Sequence, residues 1–428
     1  MVLRWLGLWG GVWLSACGGR WAPPPLAELT PESLQAAQQA RYRGDPVVAR
    51  ARVLAVGDLL MHTNVKNSAA SANRVDEAGQ STNHGGYEAL FEHVQGMVSG
   101  VDVAFANLET PIAPKADRGT RSMVFNAPVD LLGAARAVGF DVLSFANNHV
   151  WDQGTMGFSE TLEHLDASGL VWAGAGRSCE EARAPRFTEH DGLKVAWIAA
   201  STVYNADLNT TDDALCAFRL DLDQAAGSAA KARADGADFV LVSVHWGREY
   251  RPAPDEAEVA AGRALVDAGA DVVLGHHPHV VQPIEVHEAA DGRLGVIAYS
   301  LGNFISNQAW WYRHGLDAAS RGAPRDGIAL RFDLITRRDR RGRTRAEVAD
   351  VVAIPLWTDS DARALAEPSP TIRVVPIDDA LRQTWARMEG ATAEELPALE
   401  ARARLLVDRR NQIEAHLGTS RWLPLWPW

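Results

Sequence analysis

The sequence predicts an α/β fold, and three observations carry the prediction. Short, near-continuous apolar runs recur along the chain, such as Val53-Leu54-Ala55-Val56, Phe239 to Val244 and Ala270 to Leu274. Runs of that length with no polar alternation suit strands buried on both faces. Most of them end in a cluster of Asp, Asn, Glu or His, and stretches of helical spacing separate them. Strand, polar cluster and helix therefore alternate, which predicts mainly parallel pairing in the core.

The chain opens with Arg4, an apolar stretch from Trp5 to Leu14 that is too short to span a bilayer, and then small residues. Residues 1–16 are expected to be a secretory signal. Leu14-Ser15-Ala16-Cys17 resembles the bacterial lipobox, which implies a lipid on Cys17 and an exported, membrane-anchored protein. Residues 17–50 read as a Gly- and Pro-rich tether followed by a helix from Thr30-Pro31-Glu32-Ser33.

The main domain is expected over residues 51–376. Its first strand, Val53 to Val56, ends in Gly57-Asp58, with His62 close behind. Residues 66–86 are polar and rich in Gly, Ser and Asn, and read as a loop at the mouth of a site. Val101 to Phe105 leads to Asn107-Leu108-Glu109, and Val142 to Phe145 to Asn147-Asn148-His149 with Asp152. Further strands are expected at Val171-Trp172 and Leu193 to Ala200. Phe239 to Val244 delivers His245-Trp246-Gly247-Arg248-Glu249. A helix over Glu256 to Gly269 precedes Ala270 to Leu274, and Gly295 to Tyr299 feeds Ser300-Leu301-Gly302-Asn303.

From Asp326 the periodicity changes. Gly327 to Leu334 and Ala346 to Pro355 alternate in period two around a basic turn, which predicts an antiparallel hairpin, and Thr371 to Val375 an edge strand. Residues 377–428 are expected to be a helical extension, with helices over Asp378 to Met388 and Ala393 to Leu417. The Trp-rich tail from Trp422 is expected to pack back on the domain.

At 428 residues, 47% hydrophobic and 22% charged, the composition is that of a globular protein. A net charge of −12 lacks the basic footprint that duplex nucleic acid requires. Of three cysteines, Cys179 and Cys216 form an even pair. In an oxidising compartment they are either joined or held as two separate buried thiols.

The chemistry centres on Gly275-His276-His277-Pro278-His279, three imidazoles directly after a buried strand. In open α/β sheets ligands gather at the carboxyl ends of strands, and neutral imidazole is the commonest metal ligand. Asp58, His62, Glu109, Asn148, His245, His277 and His279 are accordingly the candidate metal ligands. His149 is a candidate acid or base, and Asp152 a partner that would set its tautomer. Carboxylate, amide and imidazole together suit Mn, Fe, Zn or Mg.

These blocks, from Gly57-Asp58 to Ser300-Leu301-Gly302-Asn303-Phe304, resemble in content and order the bacterial CapA family, associated with poly-γ-glutamate capsules. That family in turn resembles the calcineurin-like metallophosphoesterases. The resemblance implies two mixed sheets packed face to face with helices outside. It also implies two divalent ions, with Glu109 as the bridging carboxylate, Asn148-His149 as the family's Asn-His pair, and His277 and His279 as its final His-x-His. Position 60 is Leu where phosphoesterases carry a histidine. The expected partners are an anionic polymer or phosphoester substrate, the membrane, and other capsule synthesis or export proteins. The expected role is a metal-dependent hydrolase or, alternatively, a non-catalytic polymer-binding component of an export assembly.

Overall fold

A computed structural model describes residues 44–119, 123–209, 211, 214–361 and 370–418. Cys17, the expected signal and tether, the helix after Thr30 and the Trp-rich tail lie outside the described residues. Among the described residues no helix is long and apolar enough to cross a membrane.

The apolar runs form two mixed sheets. In the first, the long strand Val47–Leu59 is central. On one side it pairs in parallel with Val103–Leu108, which is followed by Val142–Ser144 and Val171–Ala173. On its other side the hairpin Asp326–Arg338 and Thr344–Ser360 joins antiparallel, with Ile372–Pro376 at the edge. In the second sheet Leu193–Ser201, Phe239–His245, Val272–His276 and Leu294–Ala298 are parallel neighbours. Antiparallel strands Arg186–His190 and Ile284–Glu288 close its two edges. Parallel pairing thus fills one half of the first sheet and the centre of the second.

The two sheets share one core. Val53, Phe105 and Val142 of the first meet Trp197, Leu241, Val272 and Leu274 of the second, and Phe105 stacks on Trp197 with ring centroids 5.4 Å apart. Helices cover the outer faces. Asp130–Val138 and Gly154–Ser168 bury Leu131, Leu132, Phe158 and Leu162 against the first sheet. Leu222–Ala234 and Glu256–Asp267 bury Ala225, Val259 and Leu265 against the second.

Two boundaries differ from expectation for identifiable reasons. The first strand starts at Val47 rather than Val53, because the first arm of the hairpin, Asp326–Arg338, supplies it with antiparallel partners as far as Arg337. Residues 66–86 are only partly loop. Thr63–Ser71 is a helix whose buried Val65, Ser68 and Ala69 share one face at i, i+3 and i+4, and a short 3₁₀ segment begins at His84. Small residues on that face masked the helical period. The last two helices, Ile377–Glu389 and Leu396–Leu417, are fastened by buried ion pairs, Arg409 to Asp326 and Arg410 to Asp378. The second helix docks through Leu406, Ile413 and Leu417 in the shared core, and its two arginines are buried there as paired charges.

Candidate metal centre

Strand register assembles the site. Asp58 is the pairing partner of Asn107 on one side and of Asn303 on the other. Asn107 in turn pairs with Ser144, and in the second sheet His245 pairs with His276. The carboxyl ends of both sheets therefore point at one place. Close backbone approach makes this possible. A Cβ at Gly57 would lie 1.8 Å from the carbonyl oxygen of Gly302, and one at Gly275 would lie 1.9 Å from that of Tyr299. Only glycine fits between those strands.

Glu109 occupies the middle. It is wholly buried, and neither carboxylate oxygen has a hydrogen-bond partner. Its Oε1 lies 3.6 Å from His245 Nε2, 3.7 Å from His279 Nε2 and 4.0 Å from His149 Nε2. Burial and the neighbouring Asp58 push the Glu109 carboxyl well above the usual range. Burial opposes the charge of Asp58 as well, but His276 and His279 hold its carboxyl well below the usual range.

Around Glu109 each ring is aimed by a second group. Asp58 Oδ2 and Asn303 Oδ1 lie 3.0 and 3.1 Å from His279 Nδ1, which leaves Nε2 to face the centre. Asn303 is itself fixed because its amide nitrogen donates to Gln308 and to the carbonyl of Pro324. His245 Nε2 is 2.9 Å from Asn148 Oδ1. His149 Nδ1 is 2.8 Å from Asp152 Oδ2, and Asp152 also accepts the Phe125 amide. That bond sets the imidazole tautomer and leaves His149 Nε2 free to exchange a proton. His276 Nδ1 lies 3.2 Å from Asp58 Oδ1.

His277 and His279 adopt positive φ, 93° and 56°. Non-glycine residues hold such angles only where the surroundings impose them, and such sites are commonly functional. Burial lowers His277 to about 3 and holds His245 well below its ordinary range. Both rings are therefore neutral, the form that binds metal.

Among the described residues three groups bring ligand atoms within 4.8 Å of one another: Asp58 with Glu109 and His279, Glu109 with His245 and His277, and Glu249 with His277 and His279. Asn148 joins the second through His245. His62 stands apart from all three. Its Nδ1 accepts the Asn307 amide at 3.2 Å, its ring sits edge-on to Phe125, and burial lowers it to about 4. Leu60 is buried in the core.

Sequence reading left Glu249, Asn107 and Asn303 without a role. Asn107 donates to Asp58 Oδ1 at 2.9 Å and lies 3.5 Å from His245 Nδ1. Each of the three sits inside a block that the sequence marked, but their function is visible only through register. Cys179 and Cys216 are joined in a disulfide, with Cα atoms 5.0 Å apart.

Two sheets whose strand ends converge on buried imidazoles, carboxylates and an amide define an α/β protein with a donor set of the kind that holds divalent cations. Residues 52–308 match the family described as bacterial capsule synthesis protein PGA_cap, and the chain belongs to that family. It is 29% identical over 262 residues to the capsule biosynthesis protein CapA of Bacillus anthracis, covering 60% of this chain and 59% of that one. It is 31% identical over 235 residues to the PGA biosynthesis protein CapA of Bacillus subtilis (strain 168), covering 54% and 60%. The chain thus spans about 60% of the length of these relatives. Among solved structures it aligns with the Haemophilus influenzae NAD nucleotidase NadN over 84% of this chain and 60% of that chain, with 13% identity and a TM-score of 0.42.

Proposed function

We propose that this protein is a metal-dependent hydrolase of the cell envelope that acts on a phosphoester or isopeptide-type bond during synthesis, export or processing of an anionic polymer such as poly-γ-glutamate. The observation that carries the reading is Glu109, a wholly buried carboxylate with no hydrogen bond, ringed by imidazole nitrogens. Such a group costs several kcal/mol unless it is neutralised, on the order of the penalty for any buried unpaired charge. A divalent cation would remove that cost.

Asp58, Glu109 and His279 would hold one cation, and Glu109, His245 and His277 with Asn148 another. Glu109 is common to both sets, which favours two ions over one. Bound divalent ions supply Lewis acidity and lower the pKa of water in the site. The chain's own contribution is proton handling and orientation. His149, held at Nδ1 by Asp152, gives or takes a proton at Nε2 as the leaving group departs. Glu249, the half-buried member of its group, would bound the side from which substrate enters.

The lipobox-like Leu14-Ser15-Ala16-Cys17 supports export and a lipid anchor. The Cys179–Cys216 disulfide supports an oxidising compartment. Membership of a capsule synthesis family supports the polymer as substrate and other capsule proteins as partners.

The test is elemental analysis of the purified protein, followed by turnover of a generic phosphoester and of poly-γ-glutamate with Mn, Fe, Zn and Mg in turn. Metal-dependent turnover supports the hydrolase. Bound metal with no turnover of either would assign the site to polymer binding, and absence of metal after reconstitution would end the metal reading. For the anchor, fatty-acid label incorporated equally by Cys17→Ser would refute lipidation.

A further inference from the structure

We infer that the loop after Ser201 is a strap that orients the metal-facing amide through Asn205, and that the Cys179–Cys216 disulfide fastens the strap. The inference rests on the metal reading above and adds a positioning residue to it.

Asn148 can serve a cation only through its Oδ1, yet an amide can present either end. In this site Asn205 decides between them. Asn148 Nδ2 donates to Asn205 Oδ1 at 3.2 Å, so Asn148 Oδ1 must face inward, where it lies 2.9 Å from His245 Nε2. The Asn205 amide nitrogen also packs 3.3 Å from His149 Nδ1, a contact and not a hydrogen bond because that ring nitrogen donates its proton to Asp152. Its backbone N–H also donates to the Asn148 carbonyl at 3.0 Å. One side chain thus abuts both members of the Asn-His pair.

The strap is fastened on either side of Asn205. Tyr204 donates its hydroxyl to the Phe218 carbonyl at 2.9 Å. Asn209 brackets Ala217, accepting its N–H at 3.1 Å and donating to its carbonyl at 3.0 Å. Ala217 and Phe218 follow Cys216, whose short strand pairs with Ala175–Gly176 and whose sulfur is bonded to Cys179. Reduction would remove the covalent tie and leave the two-residue ladder, the side-chain bonds and the backbone bonds of Phe218 to Gly174 and Ser201. The disulfide thus adds to the ties on the segment that grips Tyr204 and Asn209 on either side of Asn205, and its loss would slacken the hold on Asn148.

The experiment titrates the full-length protein with Mn²⁺, reading affinity by calorimetry and apo-protein stability by thermal melting. Asn205→Ala keeps the backbone bond to Asn148 and loses only the amide. It should weaken Mn²⁺ binding by about 10–100-fold, the usual range when a group that orients a ligand is removed. Asn205→Asp keeps an acceptor for Asn148 Nδ2 and should restore affinity to within a few-fold of wild type. The double variant Cys179→Ser, Cys216→Ser should weaken binding in the same direction. Wild-type protein that takes up neither Mn²⁺ nor Zn²⁺ overturns the metal reading and this inference with it. If the wild type binds, then equal binding by Asn205→Ala, or failure of Asn205→Asp to rescue, overturns the strap alone. If Asn205→Ala does not fold, the Asp variant decides: wild-type-like affinity supports the strap and weakened affinity overturns it.

Discussion

Ser144 donates its hydroxyl to Asn107 Oδ1 at 2.8 Å, and this one bond determines which end of the Asn107 amide faces the metal centre. With the oxygen held by Ser144, the nitrogen turns to Asp58 and His245. Removing the amide should therefore cost metal affinity, although Asn107 is not placed as a ligand. Asn107→Leu is expected to lose at least about tenfold in affinity. Ser144→Ala should lose less in affinity and about 1 kcal/mol in stability, the usual cost of a buried hydrogen bond. Wild-type Mn²⁺ affinity in Asn107→Leu, measured by calorimetry, would remove Asn107 from the site.

Glu109→Gln separates the cost of burying the carboxylate from its use. The amide has the same shape and carries no charge to desolvate or to repel Asp58. The variant should be more stable than wild type in chelator, by on the order of 1–3 kcal/mol. It should also lose the rise in melting temperature that divalent metal gives the wild type, since stabilisation follows binding to the native state. Melting curves with and without Mn²⁺ read both effects. A metal-induced rise as large as that of wild type would contradict the placement of Glu109 at the centre.

Individual strand ends were legible in the sequence because each apolar run stops at a residue that cannot be buried without a purpose. Asp58, Glu109, His245 and the histidines after Gly275 announce themselves in this way. The sheet to which each strand belongs was not legible. Val53 to Val56 and Phe239 to Val244 are equally apolar, and nothing local says that one pairs with Val103–Leu108 and the other with Val272–His276. His62 was drawn into the ligand set by nearness in sequence to Asp58. It turns aside because the helix starting at Thr63 carries it toward Asn307 and Phe125. Asn205 gave no signal, since it lies in a polar loop whose position depends on pairing between residues 216–217 and 175–176.

Glu258 gives the fold a pH dependence outside the candidate metal centre. Its carboxylate accepts the Asp255 N–H at 2.9 Å in the capping box of helix Glu256–Asp267. Burial raises it from an ordinary 4.5 to about 7, outweighing that bond. A raised carboxyl means that the folded state holds a proton the unfolded state has released. Its contribution to stability is therefore full below about 4.5 and is lost as pH rises through about 7. The group is only half-buried, so solvent screening reduces the effect to about 1–2 kcal/mol. Glu258→Gln cannot titrate, and its stability should fall less than that of wild type between pH 5 and pH 8. Parallel unfolding curves for the two proteins across that range would refute the assignment.

The histidines after Gly275 should divide by role. His276 is the last residue of strand Val272–His276, its ring is wholly buried 5.9 Å from that of Phe105, and its Nδ1 faces Asp58. It lies outside the three groups of converging ligand atoms, whereas His277 and His279 each appear in two of them. The chain leaves extended geometry immediately after His276, and the positive φ of His277 and His279 turns both rings toward Glu109. Truncating His277 or His279 to Ala should abolish stoichiometric metal while leaving a folded protein. His276→Ala should leave a cavity in the core and cost about 2–5 kcal/mol, the range for large-to-small changes at buried sites, while metal is retained. Elemental analysis and urea unfolding on the three variants read the two quantities separately. If His276→Ala lost its metal at full stability, or His279→Ala kept its metal, the division of roles would be reversed, and Asp58 with His276 would have to be counted as the ligand pair.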